Sequence, residues 1–282
     1  MKLKDLLNQA KAKLKAADID SAEIDARILL QSAINFSHEK LFLYPDHYLL
    51  SGDIDQYMQF IERRINREPV AKIIGSKSFW KSDFIVNNHT LDPRPDSEVI
   101  INAALDMFCD KDMDYRFLDL GCGTGCLLFS LLQEYSHAMG IATDISSEAL
   151  KVAKINMELL GLENRAELLE QNWGDSLTEK FDLIISNPPY IPRNDINNLQ
   201  PEVKNYDPML ALDGGIDGLD PYRYLAKQII LLLKPRAYAI LEFGIGQSES
   251  IKEIFVKHGY IIENILLDLA GLERAIIVKA NI

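Results

Sequence analysis

Phe117-Leu118-Asp119-Leu120-Gly121-Cys122-Gly123-Thr124-Gly125 decides the fold. It runs out of a strand into a helix. Gly121, Gly123 and Gly125 let the backbone turn tightly and approach a ligand at van der Waals distance. Downstream, strands and helices alternate: Phe117–Leu120, a helix from Cys126, Met139–Thr143, a helix from Ser147, Ala166–Leu169 and Phe181–Ser186. A helix from Pro221, Ala237–Phe243, a helix from Glu249, Ile261–Leu267 and Ala275–Lys279 complete the series. Such alternation predicts a parallel sheet covered by helices on both faces, a doubly wound α/β domain. Leu272-Glu273-Arg274 is too short to hold a crossover helix, so the last two strands should be antiparallel.

Upstream of the sheet, the first seventy or so residues read as short helices. Leu3, Leu6, Leu7, Ala10 and Leu14 recur at helical spacing. Asp20 and Glu23 form a capping pair for a second helix through Ile24, Ile28 and Leu29. Ser37 opens a third helix, which Pro45 ends. Asp53 leads a fourth, with Ile54, Tyr57, Phe60, Ile61 and Ile65 on one face. Val70–Ile74, Ser78–Trp80 and Phe84–Val86 read as β-like, with Gly75 and a Lys81-Ser82-Asp83 turn between them. Pro93-Arg94-Pro95 stops any helix running through, and Asp96-Ser97-Glu98 caps the next one. The expected division is a helical domain over 1–72, a β-hairpin linker over 73–92 and an α/β domain over 93–282.

The chain has 282 residues, with 30 Lys+Arg against 42 Asp+Glu and a net charge of -12. Affinity for phosphate backbones comes from basic clusters that release counterions, so this balance speaks against direct nucleic-acid binding. It suits a basic protein partner or a small molecule. The three cysteines, Cys109, Cys122 and Cys126, form no disulfide framework. With no apolar leader behind Met1, an odd cysteine count points to a reducing cytoplasm. No segment approaches the roughly 18 uninterrupted apolar residues of a membrane span, so no membrane partner is expected. The five histidines are scattered and show no metal-ligand spacing.

The glycine loop is spaced G-x-G-x-G, unlike the G-x-G-x-x-G turn that seats a pyrophosphate on a helix N-terminus. S-adenosylmethionine carries no phosphate and does not need that turn. Asp144 lies at the end of the second strand, where a carboxylate can accept both ribose hydroxyls. Trp173 follows the third strand, placed to flank an adenine ring. Cys122 and Cys126 read as small packing residues beside the loop.

Asn187-Pro188-Pro189-Tyr190 ends the fourth strand, on the same edge of the sheet as the glycine loop. An amide or exocyclic amine nitrogen has a delocalised lone pair and attacks a methyl group poorly. The Asn187 side-chain oxygen and the Pro188 carbonyl can each accept one N–H of a target –NH2, favouring the pyramidal nitrogen that attacks in line. Proline presents only acceptors, and Tyr190 offers a flat face for a planar group.

Together these stretches resemble the PrmC/HemK family, N5-glutamine methyltransferases that act on peptide chain release factors. The resemblance spans nearly the whole chain. It rests on Asp25-Ala26-Arg27-Ile28-Leu29-Leu30, Arg67-Glu68-Pro69-Val70-Ala71 with Gly75, Phe79-Trp80, Pro93 to Glu98, the glycine loop, Asp144 and Asn187 to Ile191. It continues through Ala211 to Leu219, Tyr222-Arg223, Glu242-Phe243-Gly244, Gln247, Asp268 to Gly271 and Arg274. Asp92, Asp207 and Ala237 depart from the usual pattern. The family implies a Rossmann-like seven-stranded class I methyltransferase sheet, with a small N-terminal helical bundle joined by a β-hairpin. It implies S-adenosyl-L-methionine as methyl donor, contacted by Gly121, Cys122, Gly123, Thr124, Gly125, Asp144, Trp173 and Asn187. It further implies that Asn187, Pro188, Pro189 and Tyr190 hold the glutamine of a Gly-Gly-Gln loop, and that the helical domain grips the release factor. Asn187, Pro188 and Tyr190 would carry the chemistry. A glutamine methyltransferase of a large-subunit ribosomal protein shares most of these motifs. A nucleic-acid adenine N6-methyltransferase shares the four-residue motif but would need a basic recognition surface. A module that binds without turnover leaves that motif without a purpose.

Overall fold

The computed structural model describes residues 1–281, which divide into two compact units. One comprises Met1–Ser76 with Gln200–Tyr206, the other Lys77–Leu199 with the residues from Asp207 onward.

The first unit is helical: α1 (Leu3–Ala16), α2 (Ala22–Ile34), α3 (His38–Leu43), α4 (Ser51–Ile65) and α5 (Val70–Ile74). Leu3, Leu6, Ala10 and Leu14 of α1 are buried with Ala26, Leu29 and Leu30 of α2 and Tyr57 and Ile61 of α4. The Tyr57 hydroxyl donates to the Ala26 carbonyl at 2.8 Å, which satisfies the one polar atom that ring carries into the core. Ser37 caps α3 by accepting the Lys40 N–H, as its type and position predict.

Three local expectations are corrected here. The Asp20–Glu23 capping pair does not form: Ser21 is the N-cap of α2, and its hydroxyl donates to Asp25 at 2.7 Å. Ile24 and Ile28 do not face the core, and Ile24 is 59% exposed, because the inward positions go to Ala22, Ala26, Leu29 and the buried Asp25. The stretch Val70–Ile74 is helical and not β-like. Pro69 sets the entry with φ -59°, Gly75 ends the turn at φ 85°, and packing of Val70, Ile73 and Ile74 in the helical core overrides their β preference.

Asp25 faces inward because Arg64 does too. Arg64 Nε donates to Asp25 at 2.7 Å and its Nη1 to Glu202 at 3.0 Å. Glu202 belongs to the short helix α9 (Pro201–Lys204), which lies in sequence between two stretches of the other unit. Lys72 Nζ donates to the Tyr206 carbonyl, and the Tyr206 hydroxyl to the Asn66 carbonyl. Residues 200–206 are thereby bound into the helical unit by charge-assisted hydrogen bonds.

The second unit opens with a hairpin, β1 (Ser76–Phe79) and β2 (Ser82–Ile85). Its turn is Trp80-Lys81, earlier than expected, and Trp80 sits at φ 55° with its N–H donated to Glu98 and its indole N–H to Glu134. Next come α6 (Glu98–Met107), β3 (Arg116–Leu120), α7 (Cys126–Glu134), β4 (Met139–Asp144), α8 (Ser147–Leu159), β5 (Ala166–Glu170) and β6 (Phe181–Ser186). After α9 follow α10 (Asp220–Leu232), β7 (Leu233–Glu242), α11 (Ser248–Lys257), β8 (Tyr260–Leu267) and β9 (Glu273–Ala280).

The seven strands lie in the order β5-β4-β3-β6-β7-β9-β8, and β9 runs antiparallel to both neighbours as the short connection before it requires. Side chains alternate across the sheet. Phe117, Leu183 and Ile185 pack on one face with Ile100 of α6, Leu128 of α7 and Ala153 of α8. Leu118, Leu120 and Ile184 pack on the other with Leu225 and Ile229 of α10 and Phe255 of α11. The chain starts at β3, winds outward to β5, then returns to β6 on the other side of β3. The crevice beyond the carboxyl ends of β3 and β6 is the topological switch point where such sheets bind ligands. Among the described residues no helix is long and apolar enough to cross a membrane.

Candidate functional site

Strand register brings the site together. β3 pairs Leu120 with Thr143 of β4, so Gly121 and Asp144 emerge as neighbours. β6 pairs Ser186 with Leu241 of β7, so Asn187 and Glu242 emerge as neighbours. Beyond these ends lies a cavity of about 480 Å³, within the range of small-molecule sites. Gly121, Cys122, Gly123, Thr124, Asp144, Trp173, Asn187 and Pro189 line it. Of the residues expected in the site, Gly125, Pro188 and Tyr190 do not line this cavity.

The glycine loop is held to β4 by backbone bonds: Gly121 and Cys122 both donate to the Thr143 carbonyl at 2.9 Å. Gly121 has φ 77°, and a Cβ there would stand 3.1 Å from the Trp173 ring. Gly123, at φ 55°, would project a Cβ into open space. The loop is thus a concave cradle whose open side faces the cavity. Asp144 Oδ2 accepts the Gly123 N–H and Oδ1 the Ser146 N–H, each at 2.9 Å. Each carboxylate oxygen keeps a further lone pair for a ligand hydroxyl. Burial raises the Asp144 pKa, and these N–H groups oppose the shift.

Trp173 is held at φ 50°, a left-handed conformation uncommon for a bulky side chain. Gln171 donates to its carbonyl at 3.0 Å, and the following Gly174 N–H donates to Gln228 at 3.1 Å. Such strain persists where the surroundings over-determine it, and it clusters at functional sites. The cysteines are apolar lining: burial pushes the Cys122 thiol well above its ordinary value and Cys126 up to about 12, so neither carries a thiolate.

Asn187 is tied down through its amide nitrogen. Nδ2 donates to Ser97 Oγ at 3.2 Å, and the Ser97 hydroxyl donates to the Glu242 carboxylate. The carbonyl Oδ1 is left as the end available to a ligand. Ser97 therefore does not cap α6, as its position before the helix suggested; its hydroxyl is spent on Glu242. The Tyr190 ring is packed against Gly244 and its carbonyl accepts Gln247 Nε2 at 2.9 Å. Burial pushes its hydroxyl up to about 12, so it stays protonated. Pro93, Arg94 and Ser97 close one wall of the cavity, and Arg94 donates to Asp207 at 2.8 Å across the mouth. The departure Asp92 also lines this wall.

The resemblance also implies that the segment from Pro93 to Glu98 helps to close the pocket, but sequence alone assigns Ser97, Asp119 and Glu242 no role of their own in it. Asp119 is 1% exposed, and among the described residues no side chain donates a hydrogen bond to its carboxylate. Burial pushes its carboxyl up to about 7, with the Leu128 N–H and Asp144 as smaller, opposed influences. Glu242 is as deeply buried and is also pushed up to about 7 by burial, against the Ser97 hydrogen bond and the Arg274 charge. Ser97 links it to Asn187. The available signal was an acid inside or at the carboxyl end of an otherwise apolar buried strand, since such burial needs a reason.

Residues 5–75 match the family described as PrmC N-terminal domain, and residues 101–201 the one described as Methyltransferase small domain. The release factor glutamine methyltransferase of Caulobacter vibrioides is 42% identical over 273 residues, which cover 96% of this chain and 94% of that protein. That of Rhodospirillum rubrum is 40% identical over 274 residues, covering 97% and 84%. The solved hMettl16 catalytic domain superposes with a TM-score of 0.55 at 14% identity, covering 81% of each chain, and so shares the fold alone. With such identity sustained across both units and nearly the full length of its relatives, the chain belongs to the family of release factor glutamine methyltransferases.

Proposed function

We propose that this protein transfers a methyl group from S-adenosylmethionine to the side-chain amide nitrogen of the glutamine in the Gly-Gly-Gln loop of a peptide chain release factor. The observation that carries the reading is the fixed Asn187 amide, whose Nδ2 is committed to Ser97 while its carbonyl end adjoins the cavity shared with Gly123, Asp144 and Trp173. Bound there, S-adenosylmethionine supplies an activated methyl group. The cradle at Gly123 has room for such a ligand, Asp144 has lone pairs for ribose hydroxyls, and Trp173 offers a ring face. The Asn187 Oδ1 accepts one N–H of the target amide and holds its nitrogen in a reactive orientation. The Pro188 carbonyl is the expected second acceptor, although Pro188 does not line the cavity in this structure. The walls formed by Pro93 and Arg94 limit water at the amide. No side-chain base is required, because the proton leaves once the nitrogen is cationic.

The helical unit is the part proposed to hold the body of the release factor. With a net charge of -12, direct nucleic-acid binding is not part of the proposal, and the place of action is the cytoplasm, where release factors work. Purified protein with labelled S-adenosylmethionine should label a release factor, and not duplex DNA or a large-subunit ribosomal protein. Label that persists when the Gly-Gly-Gln glutamine is replaced would overturn the substrate assignment.

A further inference from the structure

We propose that Glu242, acting through Ser97, sets which end of the Asn187 amide faces the substrate, and is thus a positioning residue for the methyl transfer proposed above, on which this inference rests. An Asn side chain presents an acceptor at one end and two donors at the other, and only its hydrogen-bond partners decide which end points where. Ser97 has a single hydroxyl hydrogen, and it is directed at the Glu242 carboxylate. Toward Asn187 the hydroxyl then offers lone pairs only, so the amide must turn Nδ2 to it, as found at 3.2 Å. That leaves Oδ1 for the substrate –NH2, whose hydrogens need acceptors.

The polarity reverses if Glu242 gains a proton. A carboxylic acid donates to Ser97, the Ser97 hydrogen becomes free to point at Asn187, and the favoured amide orientation puts Oδ1 there instead. Nδ2 would then meet the substrate –NH2, donor against donor. The structure holds Glu242 near that balance point. It is 1% exposed at the end of β7, and burial pushes it up to about 7. The groups facing it come from every element packed around it: Ser97 and Asn187, whose side chains both hydrogen-bond toward its carboxylate, Arg274 of β9, Asp96 beside Ser97, Cys126 of α7, Tyr190 after β6 and Tyr222 of α10. Arg274 favours the ionised form, yet its guanidinium is shared between Asp96 at 3.2 Å and Asp268 at 2.9 Å. Cys126, Tyr190 and Tyr222 are all raised by burial and stay neutral. Glu242 is therefore the group at this position that changes charge near neutrality.

Two readouts test this. The first needs no substrate: the side-chain amide resonances of Asn187, identified by their loss in Asn187→Ala, are followed by NMR from pH 5.5 to 8.5. They should shift with a midpoint near that of Glu242, and the shift should vanish in Glu242→Gln. The second is turnover on a release factor, which should fall about tenfold from pH 8 to pH 6, following the ionised fraction of a group titrating near 7. Ser97→Thr, which keeps a hydroxyl, should keep this acidic limb; Ser97→Ala and Glu242→Gln should lose it. An Asn187 amide that does not titrate, or that titrates unchanged in Glu242→Gln, overturns the proposal. A titrating amide in a protein that leaves release factors unmethylated would uphold the positioning role and overturn the substrate reading instead.

Discussion

Asp144 accepts the Gly123 N–H at 2.9 Å, joining the end of β4 to the apex of the glycine loop. Two segments twenty-one residues apart thereby become one rigid wall of the cavity. The loop's shape and the carboxylate that would meet the ribose are set by the same bond. Asp144→Ala should remove both. Hydrogen bonds to a charged group contribute about 1.5–3 kcal/mol each. Affinity for S-adenosylhomocysteine, measured by calorimetry, should therefore drop by roughly ten- to a hundredfold, with turnover at saturating cofactor less affected. Unchanged affinity would remove the ribose role.

Asn187→Ala removes the oriented acceptor while leaving the strand end in place. Loss of one preorganised polar contact lowers turnover by about two to three orders of magnitude. Methyl transfer to a release factor should fall by that much, with cofactor affinity changed far less. Near-normal turnover would show that the amide is oriented from elsewhere.

Asp119 bears on stability. A carboxyl whose folded pKa lies above its unfolded value costs stability once pH exceeds the unfolded value, and the cost is complete above the folded one. For Asp119 that window runs from the ordinary Asp value of 3.8 up to about 7. Asp119→Asn removes the ionisation and should relieve a penalty on the order of a few kcal/mol above neutrality, shrinking toward nothing near pH 4. The difference in Tm between variant and wild type should be larger at pH 8.5 than at pH 5. An equal difference at both would mean that Asp119 is already neutral, or stabilised, at high pH.

The Arg64 charge cluster makes a prediction about residues 200–206. Removing one partner of a buried ion pair destabilises by about 3–5 kcal/mol, because the other charge is left unpaired. Arg64→Ala strips both Asp25 and Glu202 of their bond. Hydrogen exchange in 200–206 and in α2 should accelerate together, ahead of the sheet strands β3 and β6. Protection of 200–206 unchanged in Arg64→Ala would mean that Lys72, Arg67 and Tyr206 suffice to hold it.

Much of this protein was determined by its sequence alone. Alternating apolar runs with a glycine loop dictate a doubly wound sheet, since each strand must be covered on both faces. A connection of five residues, 268–272, forces β9 antiparallel because no crossover helix fits within it; Glu273 and Arg274, expected in the turn, already belong to the strand. The placement of Asp144 and Asn187 at strand ends that open on one cavity was equally legible, being a property of strand order. Tertiary structure alone decided whatever depends on partners remote in sequence. Val70–Ile74 is a helix because the helical core accepts it, despite its β-branched residues. Asp25 is buried because Arg64, 39 positions away, meets it. Ser97 looked like a helix cap until Glu242, 145 residues on, took its hydrogen. That last choice orients Asn187. A side-chain amide carries no record in its sequence of which end it will present; only the groups that fold against it supply that.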